Sequence, residues 1–187
     1  MTRILCATTL FLIALSFNVL AGELKGVSLP DQTTIEGKTV LLNGMGLREA
    51  TMLKVAVYVA GLYLETKSSD PQAILDSDQV KRLDMRFVRD VKAGQMKDAW
   101  KESFEKNCPK PCTAMQERLS TLNSYMADLQ HGDTMAFTFL PDRVEVHVKG
   151  KVMGSISGKD FSKILLMTWL GPHPPNKGLK EGMLGKK

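Results

Sequence analysis

The sequence predicts an α+β fold, an open-faced sandwich in which an antiparallel β-sheet is covered on one face by helices. Three observations predict it. Strand-like segments cluster before residue 90 and again after residue 133, with helical periodicity between them and one further amphipathic helix at the end. Leu53 to Glu65 is rich in Val, Tyr and Leu with apolar residues at odd and even positions alike, the pattern of a central strand covered on both faces. The order strands, helices, strands, helix argues for an antiparallel sheet with the helices packed on one face.

The elements follow in order. Leu24 to Leu29 and Thr39 to Leu42 read as short strands around the turn at Glu36-Gly37-Lys38. The segment Asn43-Gly-Met-Gly-Leu-Arg48 then reads as a glycine-flexed turn before the spine strand Leu53 to Glu65. Val80 to Val88 places Leu83, Met85 and Phe87 on one side and Arg82, Asp84 and Arg86 on the other, as a half-exposed strand does. From Ala93 to Asn107 the positions Met96, Ala99, Trp100, Ser103, Phe104 and Asn107 recur at helical spacing. A second helix is expected from about Thr113 to Gln130, with Met115, Leu119, Leu122, Met126 and Leu129 as its apolar stripe and His131-Gly132 as its end. Thr134 to Leu140 and Arg143 to Val152 form a hairpin across Pro141-Asp142. Gly158 to Trp169 is a closing amphipathic helix, stopped by Gly171-Pro172.

The N-terminus reads as a secretory signal peptide. Arg3 precedes a largely apolar run from Ile4 to Leu15, and Val19-Leu20-Ala21 supplies small or apolar residues at a cleavage site. That run is shorter than the roughly 20 residues that span a bilayer. Cleavage after Ala21 divides the chain into residues 1–21, removed, and residues 22–187, a single domain with no integral membrane segment. The expected location is outside the cytoplasm, in a bacterial periplasm. The formal charge is +5, but the basic residues are scattered and lack interleaved aromatics, so no nucleic acid is expected as a partner. Cys6 leaves with the leader. Cys108 and Cys112 remain, and in an oxidising compartment they form a disulfide that shapes a turn between two helices. Closing so short a loop contributes about 2 kcal/mol in the loop-entropy account.

Arg48 precedes the spine strand, where its guanidinium is directed toward the layer between sheet and helices. A permanently charged, rigid fork of donors beside apolar surface calls for an anion or a carbonyl, although spacing alone also allows a surface ion pair. His131, His147 and His173 have no metal-ligand spacing, no serine motif marks a nucleophile, and no nucleotide loop occurs, so neither metal nor cofactor is expected.

The stretch Gly44 to Glu65, closing on Gly61-Leu62-Tyr63-Leu64-Glu65, resembles the core signature of the chalcone isomerase superfamily. Phe87-Val88-Arg89-Asp90-Val91, the helix Trp100 to Asn107 and the Trp169-Leu-Gly-Pro172 element follow in the family's order. The resemblance covers most of residues 22–187 and is nearest to the bacterial exported isomerase-like branch. It implies that Arg48 matches the arginine that polarises the substrate oxygen in the enzymes. Asn107 matches the enzymes' asparagine, but Trp100 stands where they carry a tyrosine, and an indole donates one hydrogen bond and accepts none. Tyr58 stands at the position of the enzymes' threonine, as in the fatty-acid-binding branch, where tyrosine and arginine hold a carboxylate. The Arg48 to Tyr58 spacing is shorter than in either branch. A hydroxyl on the last helix is also implied, with Ser162 and Thr168 both eligible.

The reading is therefore an exported, non-catalytic protein that binds a fatty acid or similar small amphipathic ligand through Arg48, Tyr58, Trp100 and Asn107. Trp100 serves as an apolar wall, with Met96 and Phe104 beside it; plain core packing explains the same residues. An intramolecular lyase of chalcone isomerase type, with Arg48 as the catalytic electrophile, is the alternative. An interaction module without ligand is the third. Oligomeric state is not encoded in any feature of the sequence.

Overall fold

A computed structural model describes residues 20–110 and 112–186. The expected leader lies outside them except for Leu20 and Ala21. Nine strands and five α-helices follow in the order β1 Leu20–Leu24, β2 Val27–Pro30, β3 Gln32–Ile35, β4 Lys38–Ala50, β5 Val55–Leu64, α1 Pro71–Asp76, β6 Lys81–Phe87, α2 Ala93–Asn107, α3 Gln116–Ser124, β7 Thr134–Phe139, β8 Arg143–Val148, β9 Lys151–Ser157, α4 Lys159–Leu170 and α5 Lys177–Met183. A 3-10 turn, Cys112–Met115, leads into α3. Strands β3 to β9 form one antiparallel sheet in sequence order, and β1 pairs only with β2.

The sheet separates two apolar layers. On its helical side Leu62, Leu83, Phe87, Phe137 and Val146 pack against Phe104, Phe161, Leu165 and Trp169. On the other side Val40, Leu42, Val59 and Tyr63 meet Val27 and Leu29 of the β1–β2 hairpin. The α+β sandwich with helices on one face is thus the observed fold, and the small hairpin covers part of the opposite face. β5 is buried from both sides, as its unbroken apolar run requires.

Several elements differ from the sequence expectation. Leu24 to Leu29 is not one strand, because Lys25 and Gly26 turn with φ of 53° and 72°. Asn43 to Arg48 is not a turn but the middle of β4, and Leu53 falls in the connection ahead of β5. The helix expected from Thr113 to Gln130 stops at Ser124. Beyond it Leu129 makes a two-way backbone bridge with Val91, both bonds 2.8 Å, so Met126 and Leu129 are buried by a chain crossing rather than by a helical stripe. Arg143 to Val152 breaks at Lys149-Gly150, where φ of 52° and 73° allow a two-residue hairpin and a further strand, β9. Helices α1 and α5 were not expected; α1 carries the signature of an Asp70 cap with Pro71 in its first turn. Cys108 and Cys112 are bonded, Cα to Cα 5.7 Å, between α2 and the 3-10 turn.

Register along β4 decides what reaches the helical side. Leu42 pairs with Tyr63 and Gly44 with Leu62, leaving Asn43 as an extra bulge residue. The bulge inverts the alternation: Val40 and Leu42 face the β1–β2 hairpin, whereas Gly44, Gly46 and Arg48 face the helices. Asn43 is held by its amide, which donates to the carbonyls of Ser68 and Met183, each at 2.9 Å. A Cβ on Gly44 or Gly46 would strike the carbonyl oxygens of Gly182 and Leu179, so the two glycines seat α5 directly on the strand backbone. Arg48 is the next residue of that row, and it lines an open cleft.

Candidate functional site

Arg48 and Tyr58 are direct cross-strand partners on β4 and β5. Neighbouring side chains at such a pair lie about 5 Å apart at Cβ, so guanidinium and phenol are available to one ligand group. A second bulge follows at once, since Arg48 pairs with Tyr58 but Glu49 pairs with Ala56, leaving Val57 extra. Val57 and Tyr58 consequently both line the same cleft. The cleft has a volume of about 300 Å³. Its wall comes from β4 and β5, from Met96, Trp100 and Ser103 of α2, from Thr168 of α4 and from the segment His173-Pro174-Pro175.

The Arg48 guanidinium is half-buried. Its Nη1 donates to the backbone carbonyl of Glu49 and, at 3.4 Å, to that of Pro175. Among the described residues no carboxylate lies within ion-pair distance of it. Glu102 on the cleft rim is paired instead with Lys106 at 2.5 Å. Two carbonyls therefore orient the arginine without neutralising it, and its remaining N–H groups are left for an incoming acceptor.

Tyr58 is buried, and its phenol is pushed up to about 12, first by desolvation and against the lowering effects of Trp169 and Arg48. Trp169 Nε1 donates to the Tyr58 oxygen at 3.1 Å. The indole occupies one lone pair of that oxygen, and among the described residues no protein group accepts the phenolic proton. Tyr58 is thus a neutral donor on a cleft that also holds a guanidinium without a direct ion pair among the described residues, Glu102 acting on it only at longer range. Such a pair matches a carboxylate or a carbonyl oxygen.

Trp100 is buried and lines the cleft, and its only N–H is spent on the Met126 sulfur at 3.1 Å. It stacks edge-on with Trp169 at 5.6 Å between centroids, which locks the indole that supports Tyr58. Asn107 is not among the residues lining the cleft. Its side-chain amide donates to the Ser103 carbonyl at 3.1 Å and to the His173 carbonyl at 3.4 Å, and its oxygen accepts from His173 N at 3.4 Å. It fixes the segment that carries Pro174 and Pro175, acting on the cleft at second hand. Of the two hydroxyls, Thr168 lines the cleft and accepts from Ser103 Oγ at 2.8 Å. Ser162 lies elsewhere, buried beside Lys81, and its Oγ has no partner among the described residues.

Sequence reasoning did not single out Ser103, Trp169 or Pro175 for the site. Ser103 was legible as a neighbour of Trp100 and Asn107 on one helical face. Trp169 and Pro175 act through a ring nitrogen and a backbone carbonyl whose placement depends on tertiary packing.

A protein with this sandwich and a cleft under its helices belongs to a known class. The chalcone isomerase-like family matches residues 21–185, and the chain belongs to that family. Among solved structures it is similar to the fatty-acid binding protein of Arabidopsis thaliana, with a TM-score of 0.69 and 17% identity over 86% of this chain and 92% of that one. At that identity the likeness establishes the fold. No curated protein matches the sequence.

Proposed function

We propose that the chain is an exported binding protein that holds an amphipathic carboxylate, a fatty acid foremost, in the cleft between sheet and helices. The observation that carries this reading is the Arg48–Tyr58 pair, a cation without a counter-ion beside a phenol with an unspent proton. Met96, Trp100 and Val57 receive the apolar tail. The fatty-acid binding of the Arabidopsis protein with the same fold supports the assignment. A cleft of about 300 Å³ is at the small end of ligand pockets, which favours short and medium acyl chains. The export part rests on the leader-like N-terminus, and the mature protein would begin at Gly22.

Calorimetric titration with fatty acids of graded length tests the ligand. Arg48→Ala is expected to weaken binding by roughly 10- to 100-fold, since it removes charged hydrogen bonds, and Tyr58→Phe by about 3- to 10-fold. Unchanged affinity in Arg48→Ala would remove the reading. Arg48-dependent loss of enone absorbance on incubation with chalcones would replace it with the intramolecular lyase. N-terminal sequencing of the protein from the cell envelope reads the cleavage point directly.

A further inference from the structure

The most exposed large apolar side chains among the described residues are adjacent: Met52 is 100% and Leu53 86% accessible. They form the tip between β4 and β5, flanked by Thr51 and Lys54 with φ of 64° and 51°. Neither flanking residue is a glycine or an asparagine, although both sit in the left-handed region that favours those types. Turn stability and solubility would each favour a different tip, so the fold itself does not account for Met52 and Leu53.

The tip rises from the lip of the ligand cleft. Ala50 and Val57, one on each strand below it, both line the cleft, and Ala50 pairs with the partly exposed Val55. Two projecting side chains and one valine offer far less surface than the roughly 1,200 Å² that a stable protein interface buries. Insertion into the boundary between headgroups and acyl chains needs no complementary surface and rewards a convex apolar point. The charge nearby is mixed, with Glu49 on β4 and Asp90 beside Arg89, but the tip itself carries only a basic residue. Lys54 at the tip and Arg89 on the cleft lip are exposed, and neither is in an ion pair among the described residues. The full sequence carries +5, and loss of Arg3 with the expected leader leaves +4. Anionic headgroups attract such lysines and arginines.

We propose that the β4–β5 tip docks on an anionic bilayer surface, with Met52 and Leu53 entering the lipid and Lys54 and Arg89 meeting lipid phosphates. The cleft then opens beside the point of insertion, and an amphipathic ligand passes between bilayer and Arg48 without crossing bulk water. This second half rests on the ligand reading above; the docking does not.

The test uses the mature chain and vesicles of phosphatidylglycerol with phosphatidylethanolamine, set against vesicles of phosphatidylcholine alone. The wild type is expected to sediment with the anionic vesicles, less so at high salt, and the Met52→Ser/Leu53→Ser double variant to bind at least about tenfold more weakly. Leu53→Trp gives a local reporter, because the native Trp100 and Trp169 are 3% and 0% exposed. Its emission should shift to the blue on anionic vesicles only. Transfer of a fluorescent fatty acid from vesicle to protein should slow several-fold in the double variant while affinity in solution is unchanged. Equal sedimentation of wild type and double variant would overturn the proposal, as would a tip-dependent dimer with no vesicle binding. Tip-dependent sedimentation with no fatty-acid binding would uphold the docking and overturn the ligand transfer.

Discussion

At Tyr58 a single ring nitrogen determines what the phenol can offer. With Trp169 Nε1 on its oxygen at 3.1 Å and its ionisation raised to about 12, the group keeps its proton over the whole range in which a carboxylic acid is ionised. Affinity for a fatty acid is therefore expected to be flat from about pH 6 to pH 10, and to fall below about pH 5 as the ligand itself takes up a proton. Trp169→Phe should weaken binding about 2- to 5-fold by releasing the phenol from its fixed direction. Calorimetry across pH on both proteins checks this, and an affinity that falls steadily between pH 7 and 9 would contradict it. At this scale the sequence was partly legible. Arg48 and Tyr58 were visible as residue types near a spine strand, and their direct cross-strand register was not, since the bulge at Val57 lies between them. Asn107 was visible by its place on α2, but its partner outside the helix, His173, lies some sixty residues further along the chain.

Among the elements, β4 bears the most on the site, and it was the least legible. A strand whose apolar alternation reverses at Asn43 and which carries two glycines in its middle reads as a turn by every local rule. The glycines answer to α5, a helix that itself has Gly178 and Gly182 and little local helical signal. Gly46→Ala places a methyl group against the Leu179 carbonyl, so α5 must shift. The expected cost is about 1–3 kcal/mol in urea unfolding, with ligand affinity reduced as well because Pro175 and Arg48 lose their relative position. An unchanged midpoint would show that α5 does not bear on the strand as described. By contrast α2 was legible to its end residues, because a periodic face lying on a sheet is buried whatever the rest of the chain does.

For the whole molecule the partly open face of the sheet contributes to the response to acid near neutral pH. His147 lies there, its Nε2 without a partner among the described residues, and burial followed by the charge of Arg82 pushes its imidazole below the ordinary 6.5. The folded state therefore favours the neutral ring, and the unfolded chain takes up the proton first. The His147 contribution to stability is fully present above the unfolded value of about 6.5 and is lost as pH falls through the lower folded value. Asp84, raised by burial, works in the opposite sense nearer the carboxylate range. The urea midpoint of the wild type should drop between about pH 7 and pH 5, and His147→Gln should flatten the drop. Equal slopes would assign the loss to other groups. The α+β class was legible because it depends on the order of periodic segments, which composition and alternation report without knowledge of contacts. The layer beneath the sheet was not, since one run from Leu24 to Leu29 gave no sign of folding back on itself at Lys25-Gly26.

The seat of α5 on β4 joins residues more than a hundred and thirty positions apart, Gly44 with Gly182 and Gly46 with Leu179. Synthesis runs from the N-terminus, so the middle of the sheet waits with a bare strip of backbone until residues 173–183 have emerged. During that interval Arg48 has no Pro175 carbonyl to lean on and the binding cleft has only three of its walls. Any factor that meets the nascent chain in that interval meets a sheet whose cleft still lacks the wall that residues 173–175 supply.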